Sequence, residues 1–122
     1  MDIRTIGIMS PGDMGHSVGQ VLKQHGFDIG TCLEGRSERT RRLALASGFN
    51  IAPDLSELVK KSDLIMSILV PSESKHLAME MADSIRQVGK DIYFADCNAV
   101  SPNTALELSD VINNAGGRFI DG

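Results

Sequence analysis

The segment Ile6-Gly7-Ile8-Met9-Ser10-Pro11-Gly12-Asp13-Met14-Gly15 constrains the fold of this chain more than any other. An apolar run passes through a tight glycine turn directly into residues with helical spacing, so strand, turn and helix follow with almost no loop between them. Gly12 lacks a Cβ, which lets an anionic group approach the main chain closely. Gly15 lets the helix lie near the strand. The amino end of that helix, starting near Gly12, offers free N–H groups and partial positive charge to a phosphate. This is the layout of a first βα turn that binds a dinucleotide. Ser10 stands where the first glycine of G-x-G-x-x-G is usual, so the turn reads S-P-G-D-M-G.

The rest of the chain alternates strand and helix. Arg4 to Met9 is expected as the first strand, and Val18, Val21 and Leu22 keep helical spacing until His25-Gly26, where Gly26 supplies a left-handed cap. A second strand is expected over Asp28 to Leu33. Ser37 then caps a helix over Glu38 to Ser47, with Leu43, Leu45 and Ala46 as apolar positions and Gly48 past its end. Asn50 to Ala52 is a minimal third strand. Pro53-Asp54-Leu55-Ser56-Glu57 joins a breaker to an acidic N-cap in capping-box spacing and opens a helix to Lys61. Leu64 to Val70 is almost continuously apolar, as a strand buried on both faces must be, and Pro71 is expected to end it. A helix from about Ser74 to Arg86, a strand over Ile92 to Ala95 and a loop from Asp96 to Val100 follow. Ser101-Pro102 opens a helix to Asn114, and Arg118 to Ile120 is the last strand.

This order, with right-handed crossovers, predicts one α/β domain over residues 1–122. It is a Rossmann-type doubly wound parallel sheet with helices on both faces, in three layers. The formal net charge of −4 argues against nucleic acid as a partner. Basic residues gather only at Arg36, Arg39, Arg41 and Arg42. Cys32 and Cys97 have no CxxC or zinc-ligand spacing and no signal peptide precedes them, so the expected compartment is the cytoplasm. No apolar run is long enough to span a bilayer, so no membrane partner is expected. His16, His25 and His76 show no metal spacing, and no metal is expected; His16 is placed to approach a pyrophosphate, whereas His25 and His76 read as helix-surface residues.

In a doubly wound sheet the ligand lies outside the carboxyl ends of the strands. After the second strand, Glu34 suits a ribose 2′-hydroxyl. Gly35-Arg36-Ser37 instead combines a guanidinium, a hydroxyl and a helix start, with Arg39, Thr40 and Arg41 on the next turn. This suits a 2′-phosphate and favours NADP over NAD. The alternative is that the arginines solvate a helix face, which is the expectation for Arg42. Val70-Pro71 either borders the cofactor's ribose or simply stops a strand. After the fifth strand, Asn98 offers a donor and acceptors where nicotinamide and substrate meet, and Ser101 either caps a helix or faces an anion. Cys97 is read as a small packed hydrophobe, since no histidine is placed to activate it. Met9, Met14, Met66, Met79 and Met81 are read as core filling, with Met14 also near the cofactor.

These residues together resemble the β-hydroxyacid dehydrogenases, the superfamily of 6-phosphogluconate and 3-hydroxyisobutyrate dehydrogenases, over the whole chain. Its members show I-G-x-I-G-L-G-x-M-G, N-R-T, L-P, D-x-S-T-x-S-P and F-x-D in that order. Here these become Ile6 to Gly15, Gly35-Arg36-Ser37, Val70-Pro71, Asp96 to Pro102 and Phe119-Ile120-Asp121. The Ser-Pro turn and Asn98-Ala99 look most like a phosphogluconate-dehydrogenase-like branch. The resemblance implies an NADP-binding domain of an oxidoreductase that passes a hydride between nicotinamide and a small hydroxy acid or its oxo or semialdehyde partner. It implies cofactor contacts from Ser10, Pro11, Gly12, Asp13, Met14, Gly15, Gly35, Arg36, Ser37, Arg41, Val70, Pro71 and Asn98. Substrate contacts are implied for Asn98, Ala99 and Ser101, although Asn98-Ala99 replaces the serine-threonine pair that holds the substrate carboxylate in such enzymes. The family also carries a second, all-helical domain with the catalytic lysine and most of the dimer interface. Lys23, Lys60, Lys61, Lys75 and Lys90 match no such context. The catalytic base is therefore expected outside this chain, which alone is expected not to turn over, and either the helical domain or self-association is expected to cover its apolar surface. The alternative function is a stand-alone NADPH-binding regulatory or sensor module without catalysis.

Overall fold

In the computed structural model the described residues are 3–9, 13–32, 38–68, 71–97 and 102–121, with the main chain alone for residues 13–16, 39, 40, 43, 71–74 and 121. Strands and helices alternate from β1 (Thr5–Met9) through α1 (Asp13–Gln24), β2 (Asp28–Cys32), α2 (Glu38–Ala46), β3 (Asn50–Ala52) and α3 (Leu55–Lys61). They continue through β4 (Leu64–Ser67), α4 (Pro71–Val88), β5 (Tyr93–Asp96) and α5 (Pro102–Asn114) to β6 (Arg118–Asp121). The strands form one parallel sheet in the order β3-β2-β1-β4-β5-β6. The chain winds outward from β1 to β3, crosses back to β4 and winds outward again to β6. This is the doubly wound Rossmann-type arrangement expected from the alternation of elements.

Each face of the sheet has its own apolar cluster. Ile6, Ile8 and Ile29 pack with Ala44 of α2 and Phe49, with Val18 and Leu22 of α1 beside them. On the opposite face Met9, Cys32 and Ile65 join Leu58 and Val59 of α3, Met81 and Ile85 of α4, and Leu108 and Ile112 of α5. Adjacent residues such as Ile8 and Met9 thus serve different layers, as strand alternation requires. The two-sided burial explains why these strands are apolar with little alternation.

Several boundaries follow from local chemistry. Asp54 Oδ1 accepts from the Glu57 N–H at 2.9 Å, the N-cap expected for α3. Gly26 and Gly48 end α1 and α2 with φ of 93° and 74°, where a side chain would be strained. Two lysines supply caps that reach across the fold. Lys23 Nζ donates to the carbonyls of Ser47 (3.2 Å) and Gly48 (3.0 Å), and Lys90 Nζ to those of Lys60 (2.9 Å) and Ser62 (2.7 Å).

Several expectations need correction. Pro71 does not serve as the end of β4 but opens α4, which begins before Ser74 and runs past Arg86 to Val88. A first helical turn has no use for the N–H that proline lacks, and proline's fixed φ already suits it. β4 itself covers Leu64–Ser67, with the Ile68 N–H still bonding Met9 O at 2.8 Å. Asp96 belongs to β5 and not to a loop, pairing in register with Ser67 and Asp121. Met79 is 53% exposed and is no core residue, because the buried side of α4 runs through Ala78, Met81, Ala82 and Ile85. Among the described residues no helix is long and apolar enough to cross a membrane.

Candidate functional site

β1, β4 and β5 end level with one another. The Ile68 N–H donates to Met9 O at 2.8 Å and the Cys97 N–H to Ser67 O at 3.0 Å, carrying the ladder one step past β4 and β5. Because β1 and β4 are neighbours whose connections leave in opposite directions, a crevice opens between them at the carboxyl edge. Only residues 10–12 separate Met9 from α1, so the amino end of this 12-residue helix lies at that crevice. Its first main-chain N–H groups have no partner within the helix. The donor chemistry fits a dinucleotide pyrophosphate: N–H groups that the helix itself leaves without a partner, and a positive dipole end, at the switch point of the sheet.

Close packing holds α1 in this position. A Cβ on Gly19 would stand 2.4 Å from Cζ of Phe49, so the helix approaches the ring through a glycine, one helical turn beyond Gly15. Beneath the crevice the carboxyl ends of the strands carry buried polar groups. Thr31 is 8% exposed and its hydroxyl donates to Ile8 O at 2.7 Å, tying β2 to β1. Ser67 and Asp96 are buried at the ends of β4 and β5. Cys97 follows, and it is exposed, which corrects the expectation of a packed hydrophobe. Desolvation, with the negative Asp96 beside it, pushes its thiol pKa up, so at neutral pH it is a protonated thiol and no nucleophile.

Those parts of the singled-out segments that are described follow the strand ends. Asp13, Met14 and Gly15 form the first turn of α1, Pro71 opens α4 after β4, the strand next to β1, and Cys97 leads from β5. Arg41 is exposed on α2, which follows β2, the strand next to β1. Arg42 pairs with Glu38 at 3.7 Å on the solvent face, the solvating role expected of it. Ser10, Pro11, Gly12, Glu34, Gly35, Arg36, Ser37, Val70, Asn98, Ala99 and Ser101 lie outside the described residues. His25 is exposed just past α1, and exposed His76 pairs with Glu80 along α4. Three features went unread in the sequence: Gly19 against Phe49, and the buried Thr31 and Ser67. Gly19 carried a signal, since it repeats Gly15 at the four-residue spacing of one helix face. Thr31 and Ser67 also carried one, as lone polar positions inside apolar runs.

The sheet order, the switch-point crevice and the helix set against it define a dinucleotide-binding domain of the Rossmann class. The sequence profile of the NAD binding domain of 6-phosphogluconate dehydrogenase matches residues 5–122. The chain belongs to that family. It is 32% identical over 116 residues to an uncharacterized 28.5 kDa protein of Methanothermus fervidus, covering 95% of this chain and 43% of that one. It is 30% identical over 123 residues to the mitochondrial 3-hydroxyisobutyrate dehydrogenase of Drosophila melanogaster, covering 97% and 36%. The structure of Mycobacterium tuberculosis 3-hydroxyisobutyrate dehydrogenase superposes with a TM-score of 0.77 at 17% identity, over 97% of this chain and 40% of that one. The chain thus spans about two-fifths of the length of these proteins.

Proposed function

We propose that this chain is the cofactor-binding part of an NADP-dependent oxidoreductase acting on a small hydroxy acid or its oxo or semialdehyde partner. The observation that carries the reading is the amino end of α1 set at the β1–β4 switch point. Its kinship with 3-hydroxyisobutyrate dehydrogenase supports the substrate class. In this reading residues 10–15 hold the pyrophosphate with main-chain N–H groups, and Gly35, Arg36, Ser37 and Arg41 hold the 2′-phosphate. Val70 and Pro71 border the ribose. Asn98 orients the nicotinamide carboxamide or the substrate, and Ala99 and Ser101 border the substrate. When bound, the nicotinamide supplies the position that gives or takes hydride. The group that moves the substrate's hydroxyl proton comes from a further helical domain, as the length of the relatives suggests.

Calorimetric titration of the chain with NADPH and NADH tests this. One or two charge-assisted bonds to the 2′-phosphate, worth about 1.5–3 kcal/mol each before desolvation, should favour NADPH by roughly ten- to hundredfold. Arg36→Ala should remove most of that preference. Equal affinity for the two cofactors would overturn the NADP assignment. Robust NADPH oxidation by the 122-residue chain with small oxo acids would overturn the assignment of the base to another domain.

A further inference from the structure

The ladder between β1 and β2 stops short of the strands it joins. β1 runs to Met9 and β2 to Cys32, but their register ends where Gly7 pairs with Gly30. Each strand stays paired on its other side: β1 with β4 as far as Met9 opposite Ser67, and β2 with β3 as far as Cys32 opposite Ala52. At the carboxyl edge the sheet therefore divides into two blocks, β3-β2 and β1-β4-β5-β6. A side chain joins them. The Arg4 carbonyl accepts from the Asp28 N–H at 2.9 Å and the Met9 carbonyl from the Ile68 N–H at 2.8 Å, so strand alternation turns the Ile8 carbonyl toward β2. That carbonyl accepts from the Thr31 hydroxyl at 2.7 Å. Thr31 is buried, so water competes little for the bond.

The two turns assigned to the cofactor leave from these two strand ends. Residues 10–12 follow Met9, and residues 33–37 follow Cys32. In that assignment the first turn holds the pyrophosphate and the second the 2′-phosphate. One ligand thus carries two charged groups for turns that leave from the two tied strands. A ligand with two anchors gains from the second only when the spacing of the two sites matches its own. NADH lacks the 2′-phosphate and has no charged group for the second turn.

We propose that Thr31 is a positioning residue for cofactor selectivity. Its hydroxyl fixes the separation of the β1 and β2 carboxyl ends, and with it the spacing of the pyrophosphate and 2′-phosphate turns. Thr31 acts through the Ile8 carbonyl and needs no contact with the cofactor. This role rests on the assignment of the 2′-phosphate to Gly35, Arg36 and Ser37.

The test is calorimetric titration of the 122-residue chain and of Thr31→Val and Thr31→Ser with NADPH and NADH. Valine keeps the branched shape and the strand preference of threonine but removes the hydroxyl, whereas serine keeps the hydroxyl. Thr31→Val should weaken NADPH about tenfold and NADH about twofold, so that the preference for NADPH falls about fivefold. Thr31→Ser should hold that preference to within about twofold of the parent. In an Arg36→Ala background, where the 2′-phosphate anchor is removed, Thr31→Val should leave the ratio of the two affinities unchanged. If urea unfolding shows Thr31→Val to be poorly folded, the smaller Thr31→Ala makes the same comparison against Thr31→Ser. A parental preference for NADPH that survives loss of the hydroxyl, even with both affinities lowered, overturns the role of Thr31 and leaves the NADP assignment standing. Equal affinity of the parent for the two cofactors overturns the NADP assignment, and this role with it.

Discussion

The ring of Phe49 occupies the space that a side chain on Gly19 would need, with Cζ 2.4 Å and Cε1 3.0 Å from the position of the missing Cβ. Phe49 precedes β3 and is 9% exposed among Ile6, Ile8, Ile29 and Ala44. The contact sets how closely α1 lies on the sheet, and therefore where its amino end meets the crevice.

Gly19→Ala is expected to destabilise the chain despite the better helix propensity of alanine. The propensity gain is about 0.5–1 kcal/mol, whereas forcing a methyl group into a packed ring costs about 1–3 kcal/mol. A net loss of about 1–2 kcal/mol should appear in urea unfolding, and Phe49→Leu in the same background should recover part of it. Parental stability for Gly19→Ala would mean that the ring has room to move aside.

Asp63 predicts an acid limb of the stability profile. Its carboxylate accepts from the N–H of Arg4 at 3.0 Å and of Thr5 at 3.1 Å. The Arg4 bond lowers its pKa most; burial opposes, and the Thr5 bond and the charges of Lys90 and Arg4 lower it further. A carboxyl group whose folded pKa is depressed stabilises the fold above its unfolded value, near 3.9, and loses that contribution as pH falls through the folded pKa. Asp63→Asn should therefore cost about 0.5–1.5 kcal/mol at pH 7, after allowance for solvent screening, and the difference from the parent should vanish in strong acid. Chemical unfolding across pH 2 to 7 measures it; a difference that stayed constant with pH would remove the carboxylate as the cause.

Cys97 reports on the crevice. It is exposed beside the end of β5, while Cys32 is buried, so alkylation should modify Cys97 alone in the folded chain. Desolvation and Asp96 raise its pKa above the ordinary 9.0, so the rate should be slow at pH 7 and still climbing beyond pH 9. Saturating NADPH should slow the reaction. Mass spectrometry of the two cysteine peptides reads this directly, and a rate indifferent to NADPH would move the nicotinamide end away from β5.

Much of the fold was legible because its signals are local. The bounds of β3, α3 and α5 coincide with those read from the sequence, since Asp54 caps α3 within three residues and Pro102 opens α5. Gly26 and Gly48 marked helix ends because a left-handed φ is a property of one residue. Pro71 was ambiguous for the opposite reason: the same ring that stops a strand also starts a helix, and only the following turn decides between them.

The sequence by itself determined the order of the elements, their parallel winding and the short step from β1 into α1, because these depend on periodicity and on residues a few positions apart. Tertiary structure alone decided what touches what across the sheet. Gly19 meets Phe49, Lys90 caps the end of α3 through Lys60 and Ser62, and Met79 faces solvent while Met81 is buried. Such contacts join residues distant in the chain, and their geometry is set by how closely whole helices and strands pack, which no local pattern encodes.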